Sequence, residues 1–138
     1  MVRKVEVHVD EWIAGDRGTV LTTSGVEAGV MIALSNQRTG QGYLGSLLAV
    51  EDIPHLLEAV KHDVEDRRYD VLAWYGGVAF APNNRIRVEE FRRQVARLLH
   101  RTEFIVQQEL WLPHRKQLAV RLRCGAASCH LSIKDVII

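Results

Sequence analysis

The hydrophobic positions of this chain switch between two periods. Near the start, Val5, Val7 and Val9 alternate with Glu6, His8 and Asp10, which predicts a first strand with one buried face. Gly15-Asp16-Arg17-Gly18 reads as a turn, and Thr19 to Thr23 as a short β-prone run. Val30 to Leu34 is continuously apolar, the pattern of a strand buried on both faces. A polar turn from Ser35 to Gly42 separates it from the next apolar strand, Tyr43 to Val50. The period then lengthens: Ile53, Leu56, Leu57, Val60 and Val64 make one stripe on a helix. Asp52 suits its N-cap, and Pro54 in the first turn sacrifices no internal hydrogen bond.

Strand character returns from Val71 to Ala81, interrupted by Gly76-Gly77. A second helix follows Asn83-Asn84, with Val88, Phe91, Val95, Leu98 and Leu99 facing inward. Glu89 and Glu90 sit near the positive end of its dipole, and Arg97, His100 and Arg101 near the negative end. Phe104 to Leu112, Gln117 to Cys124 and Cys129 to Ile138 read as three closing strands. Strands joined by short turns pair mostly antiparallel, and both helices must bury their single stripe against a sheet. The expectation is one α+β domain over residues 1–138, layered, with two amphipathic helices packed on one sheet.

Composition narrows the function. A chain of 138 residues with 47% hydrophobic content is long enough for a real core. Its 18 basic and 17 acidic side chains leave a formal charge of +1, less basic excess than nucleic-acid binders usually carry. The N-terminus alternates charge with valine and has no apolar leader. No run approaches the ~18 apolar residues of a membrane span. A cytoplasmic protein is therefore expected, with Cys124 and Cys129 reduced in the cell.

Each chemical candidate has a plain competitor. Cys129 and His130 are adjacent, and neighbours in a strand point to opposite faces, so they make no nucleophile–base dyad. Cys124 and Cys129 instead flank a four-residue loop and are expected to face each other across it, close enough to oxidise in vitro. His55 and His62 lie two turns apart with Glu58 between them. A metal site prefers i, i+4 spacing and a third ligand, so a solvated face is favoured and neither metal nor cofactor is expected. Arg93, Arg97 and Arg101 form one basic helical stripe within a dense run that includes Arg85, Arg87 and Arg92. Glu89 stands four residues before Arg93, so the stripe reads first as an exposed helix face.

The order of landmarks resembles the bacterial chemoreceptor glutamine deamidases of the CheD family. That family has a Thr-x-Gly-x-Gly-Ser-Cys corner, a buried strand and a Gly-x-x-x-His strand. A helix, a strand ending in a double glycine, a second helix and closing strands follow. Here Thr23-Ser24-Gly25-Val26-Glu27-Ala28-Gly29 lies over the corner and Gly42-Tyr43-Leu44-Gly45-Ser46 over the histidine strand. Gly76-Gly77 matches the double glycine, and Gly125 the final hairpin turn. The resemblance implies a layered α/β/β sandwich. It also implies that the cysteine position holds Gly29 and the histidine position Ser46, while Thr23 remains. Family members hydrolyse a receptor glutamine with a thiolate activated by histidine, and they bind chemoreceptors and a phosphatase of the same pathway. The loop after the penultimate helix is replaced by Leu110-Trp111-Leu112-Pro113-His114-Arg115.

With Gly and Ser at the two positions, Glu27 is the only proton-transfer group left in the corner. The expectation is a catalytically inactive CheD-like domain that binds a protein or a small ligand. Thr23, Ser24, Glu27, Gly29 and Ser46 form the vestigial site, and Trp111 and Arg115 a candidate interface. Two alternatives stand beside it. One is an amidohydrolase with relocated residues, in which the fold brings Cys129 or His130 to the corner. The other is a structural or oligomerising domain in which the corner does nothing. Membrane and nucleic-acid partners are disfavoured, and self-association stays open.

Overall fold

Three runs of this chain are buried at every position, and they become the three inner strands of one sheet. The computed structural model describes residues 3–26, 29–48, 50–64, 70–78, 85–113 and 115–135. Glu27, Ala28, Ala81, Asn83, Asn84, His114 and Ile138 lie outside the described residues. So do the side chains of Ser24, His62, Val64, Arg85, Arg87, Val88, Glu89, Glu90 and Phe91.

In chain order the strands are β1 (Lys4–Glu6), β2 (Glu11–Gly15), β3 (Val20–Val26), β4 (Gly29–Asn36) and β5 (Gly42–Leu47). Helix α1 (Ile53–Val64) follows a short 3-10 turn at Val50–Asp52. Then come β6 (Val71–Val78), helix α2 (Arg85–His100), β7 (Ile105–Leu112), β8 (Lys116–Arg123) and β9 (Cys129–Asp135). They form a four-stranded sheet, β1-β3-β8-β9, and a five-stranded sheet, β2-β5-β4-β6-β7. Of the strand pairs, β1–β3 and β6–β7 are parallel and the rest antiparallel. The described chain is a mixed α+β, strand-rich fold with two helices.

Alternation along β4 explains its total burial. Val30, Ile32 and Leu34 join one core with Ile53, Leu56 and Val60 of α1 and Val95 and Leu99 of α2. Met31 and Ala33 face the other way, into a second core with Leu21, Leu118, Val120 and Leu122 of the four-stranded sheet. A strand covered on both faces needs apolar side chains at every position, which is what Val30 to Leu34 supplies. Each of its large side chains contributes about 1.5–3 kcal/mol through burial.

Several boundaries differ from expectation for identifiable reasons. The valine alternation yields only β1. Asp10 adopts φ 66°, the chain turns, and Val9 is left 60% exposed. Glu11–Gly15 then forms an edge strand that the sequence pattern does not announce, because adjacent Trp12 and Ile13 break any alternation. Ser35 and Asn36 belong to β4 rather than to a turn. The buried Asn36 side chain organises the bend beyond it, accepting hydrogen bonds from the backbone N–H groups of Arg38 (3.0 Å) and Thr39 (3.1 Å). Gly76-Gly77 does not interrupt β6, which runs straight through. Among the described residues no helix is long and apolar enough to cross a membrane.

Candidate functional site

The corner between β3 and β4 is where the chain leaves one sheet and enters the other. Pairing of β3 with β8 is regular up to Thr23, opposite Val120, and then slips before Val26 meets Leu118. Thr23 keeps the inward alternation of Leu21 and is 5% exposed. Ser46 on β5 pairs with Met31 on one side and Glu11 on the other, and is 3% exposed. Its carbonyl accepts a 2.7 Å hydrogen bond from the Asp10 N–H. Two polar residues of the expected vestigial site are thus both buried.

Gly29, the first residue of β4, is buried as well. It has φ 103°, a conformation that side-chain-bearing residues rarely adopt. A Cβ built on it would stand 2.5 Å from the Leu47 carbonyl oxygen and 3.4 Å from Leu48 Cδ2. The space a thiol carbon would need is filled by main chain. The double glycine belongs to the same construction: a Cβ on Gly77 would meet the Gly29 carbonyl oxygen at 2.1 Å, and one on Gly76 the Leu110 carbonyl at 1.8 Å. Backbone therefore packs on backbone from β5 through β4 and β6 to β7, and only glycine permits it.

The relocated residues do not reach this corner. Cys129 pairs with Leu122 and His130 with Arg121 on β9, with β8 standing between them and β3. Two strand spacings put Cys129 about 10 Å from β3, well beyond hydrogen-bond reach. The Cys129 thiol points to the Arg121 carbonyl at 3.6 Å, and His130 is exposed. The expected facing of Cys124 and Cys129 also fails. Both are free, the register sets Leu122 opposite Cys129, and buried Cys124 packs where Gly15 and Gly42 leave room. Burial pushes the Cys129 thiol up to about 12. Burial also dominates at Cys124, with Asp16 adding to it against a hydrogen bond from Gly42, and that thiol rises to about 11. At neutral pH both thiols are expected to react with a disulfide reagent far more slowly than in denaturant, and no intramolecular disulfide should form. Labelling of the folded protein as fast as of the unfolded chain would contradict this.

A polar cluster that the sequence did not suggest lies across β6, β7 and α2. Tyr75 and Glu109 are register partners on the two parallel strands, although 34 positions apart in sequence. Glu109 accepts hydrogen bonds from the Tyr75 hydroxyl (3.0 Å), the Trp111 indole N–H (2.7 Å) and the Arg92 Nε (3.2 Å). Trp111 also meets Tyr75 edge-on, with ring centroids 6.4 Å apart. Trp111 is thus half-buried against the helix-side core with its N–H engaged, a strand-edge core residue more than a free anchor. Arg115 is exposed in the turn beyond, with φ 72°. Burial works to raise the Glu109 pKa, but hydrogen bonds from Trp111, Tyr75 and Arg92 outweigh it and lower it. Burial, then the bond to Glu109, pushes Tyr75 up to about 12.

The sign of each shift sets a pH window. Glu109, depressed on folding, contributes stability that is present above the ordinary glutamate range near pH ~4.3 and is lost as pH falls through its folded value. Tyr75, raised on folding, contributes stability below pH ~10 that is lost as pH climbs towards its folded value. The Glu109→Gln variant should therefore lose the part of the acid-side decline that Glu109 causes, and Tyr75→Phe the part of the alkaline one that Tyr75 causes. Urea midpoints measured across pH test this, and wild-type slopes in both variants would contradict it.

His55 is exposed, and no group of three metal-ligating side chains occurs among the described residues. One concave feature stands apart from the corner, a shallow groove of about 170 Å³ between α1 and α2. No protein-family model matches the chain, and no curated protein matches it.

Proposed function

We propose that this protein is a catalytically silent, CheD-like α/β/β domain that acts by binding another protein. The observation that carries the reading is the occupied corner. Where the family's nucleophile would stand, Gly29 at φ 103° is pressed against the Leu47 carbonyl, and the base position holds a buried serine. Deamidation needs an activated nucleophile for the amide carbon and an acid for departing ammonia. Gly29 supplies neither, and the buried Ser46 hydroxyl is a poor proton donor with no base hydrogen-bonded to it among the described residues. The order of corner, buried strand, helix, double glycine, helix and closing strands supports the family frame. With Thr23 and Ser46 both buried, binding is assigned to the outer surfaces rather than to the corner.

Ammonia release from a glutamine-bearing peptide tests this reading. No release above the buffer rate is expected, and Thr23→Ala should change nothing. Release that disappears in Thr23→Ala would overturn the proposal. A self-associating scaffold is the second reading. It is favoured by Ile105 and Val106 on edge strand β7, exposed at 45% and 43%. Sedimentation of wild type beside Ile105→Lys distinguishes it, since a dimer that the lysine dissolves would support self-association.

A further inference from the structure

The groove between the helices pairs apolar side chains with basic ones. Pro54 and Leu57 of α1 and Leu98 of α2 give it an apolar floor, and its size suits one leucine- or phenylalanine-sized side chain. Lys61 and Arg101 stand on its rim, with Glu58 the one carboxylate lining it. Neither cation makes an ion pair among the described residues. From Arg101 the exposed stripe Arg97 and Arg93 continues along α2, spanning about 12 Å at the helical rise. Glu109 pairs with Arg92, which stands beside this stripe, and Arg93, Arg97 and Arg101 make no ion pair among the described residues. An exposed helix face explains scattered charge, but a single-sign row leading into an apolar notch is directional.

We propose that this groove and the arginine stripe together bind an acidic segment of a partner protein. One large apolar side chain of that segment seats between Leu57 and Leu98, and its carboxylates run along Arg101, Arg97 and Arg93. The proposal deepens the protein-binding reading and rests on it, yet it fails separately. Ammonia release bears on the corner alone, and the following titration on the groove alone.

The probe is a capped peptide of glutamates and alanines with one central phenylalanine, titrated into the isotopically labelled full chain. Backbone amide shifts are expected at Leu57, Lys61, Leu98, Arg101 and Thr102. Replacing the phenylalanine by alanine should weaken binding about tenfold, as should the Arg97→Glu, Arg101→Glu double variant. Both substitutions lie on exposed positions, and an unchanged urea midpoint would establish that the fold is intact. Shifts confined elsewhere, no saturable binding, or binding indifferent to the phenylalanine would each overturn the proposal. An oligodeoxynucleotide that binds the stripe as tightly as the peptide would also overturn it, marking the surface as a phosphate site.

Discussion

The Gly29→Cys substitution, which supplies the thiol that the proposed CheD-like corner lacks, is expected to damage the fold without creating an enzyme. In Gly29→Cys the new Cβ meets the Leu47 carbonyl oxygen at 2.5 Å, a main-chain atom at the end of β5 where Leu47 pairs with Val30. The backbone must also leave φ 103° or hold a side chain there at a cost of about 1–3 kcal/mol. Overpacking adds about 1–3 kcal/mol more, so a total of about 2–6 kcal/mol is expected. In urea this moves the midpoint down by about 1 M or more, for a slope typical of small proteins. Adding Ser46→His worsens it, because position 46 is 3% exposed between two paired strands. No ammonia release should appear in either variant. A stable double variant that deamidates a glutamine peptide would mean that the corner is an active site short of two side chains.

The second large effect lies at the double glycine. A methyl group on Gly76 would sit 1.8 Å from the Leu110 carbonyl oxygen, 2.7 Å from its carbon and 3.0 Å from its nitrogen. All three are main-chain atoms, so no rotamer change relieves the clash, and β7 must move away from β6. That movement pulls Trp111 from Tyr75 and Glu109 from the Tyr75 hydroxyl. Gly76→Ala should therefore cost about 4 kcal/mol or more, above the usual range for overpacking, or prevent folding outright. Tryptophan fluorescence and denaturant midpoints read the outcome. A variant within about 0.5 kcal/mol of wild type would show that β6 and β7 do not approach as described.

Much of the layout was legible because burial on one or two faces imposes different periods. The all-apolar Val30 to Leu34 predicted an inner strand, and the spacing of Ile53, Leu56, Leu57 and Val60 set the buried face of α1. The half-covered edges were less legible. Strand β2 carries Trp12 and Ile13 side by side, and nothing local separates that from a loop. Gly76-Gly77 looked like an interruption because glycine weakens an isolated strand. Its reason is the approach of neighbouring backbones, which only tertiary structure reveals. The candidate site divides along the same line. The absence of a thiol and an imidazole was plain from the residues, whereas the Leu47 carbonyl standing against Gly29 was not. Nor was the Tyr75–Glu109 pair, since two residues 34 apart meet only through the parallel register of β6 and β7.

Two glycines with similar backbone strain isolate the central claim that the corner is closed by main chain. Gly18 has φ 86° with nothing within 4 Å of a built Cβ, while Gly29 has φ 103° with Leu47 against it. Alanine at position 18 pays the conformational cost alone, and alanine at position 29 pays it together with the clash. The most direct measurement is the difference in unfolding free energy between Gly18→Ala and Gly29→Ala under identical conditions. The closed corner predicts that Gly29→Ala is the less stable by at least ~1.5 kcal/mol. Equal losses in the two variants would mean that the space beside Gly29 is open, and the account of a filled corner would be wrong.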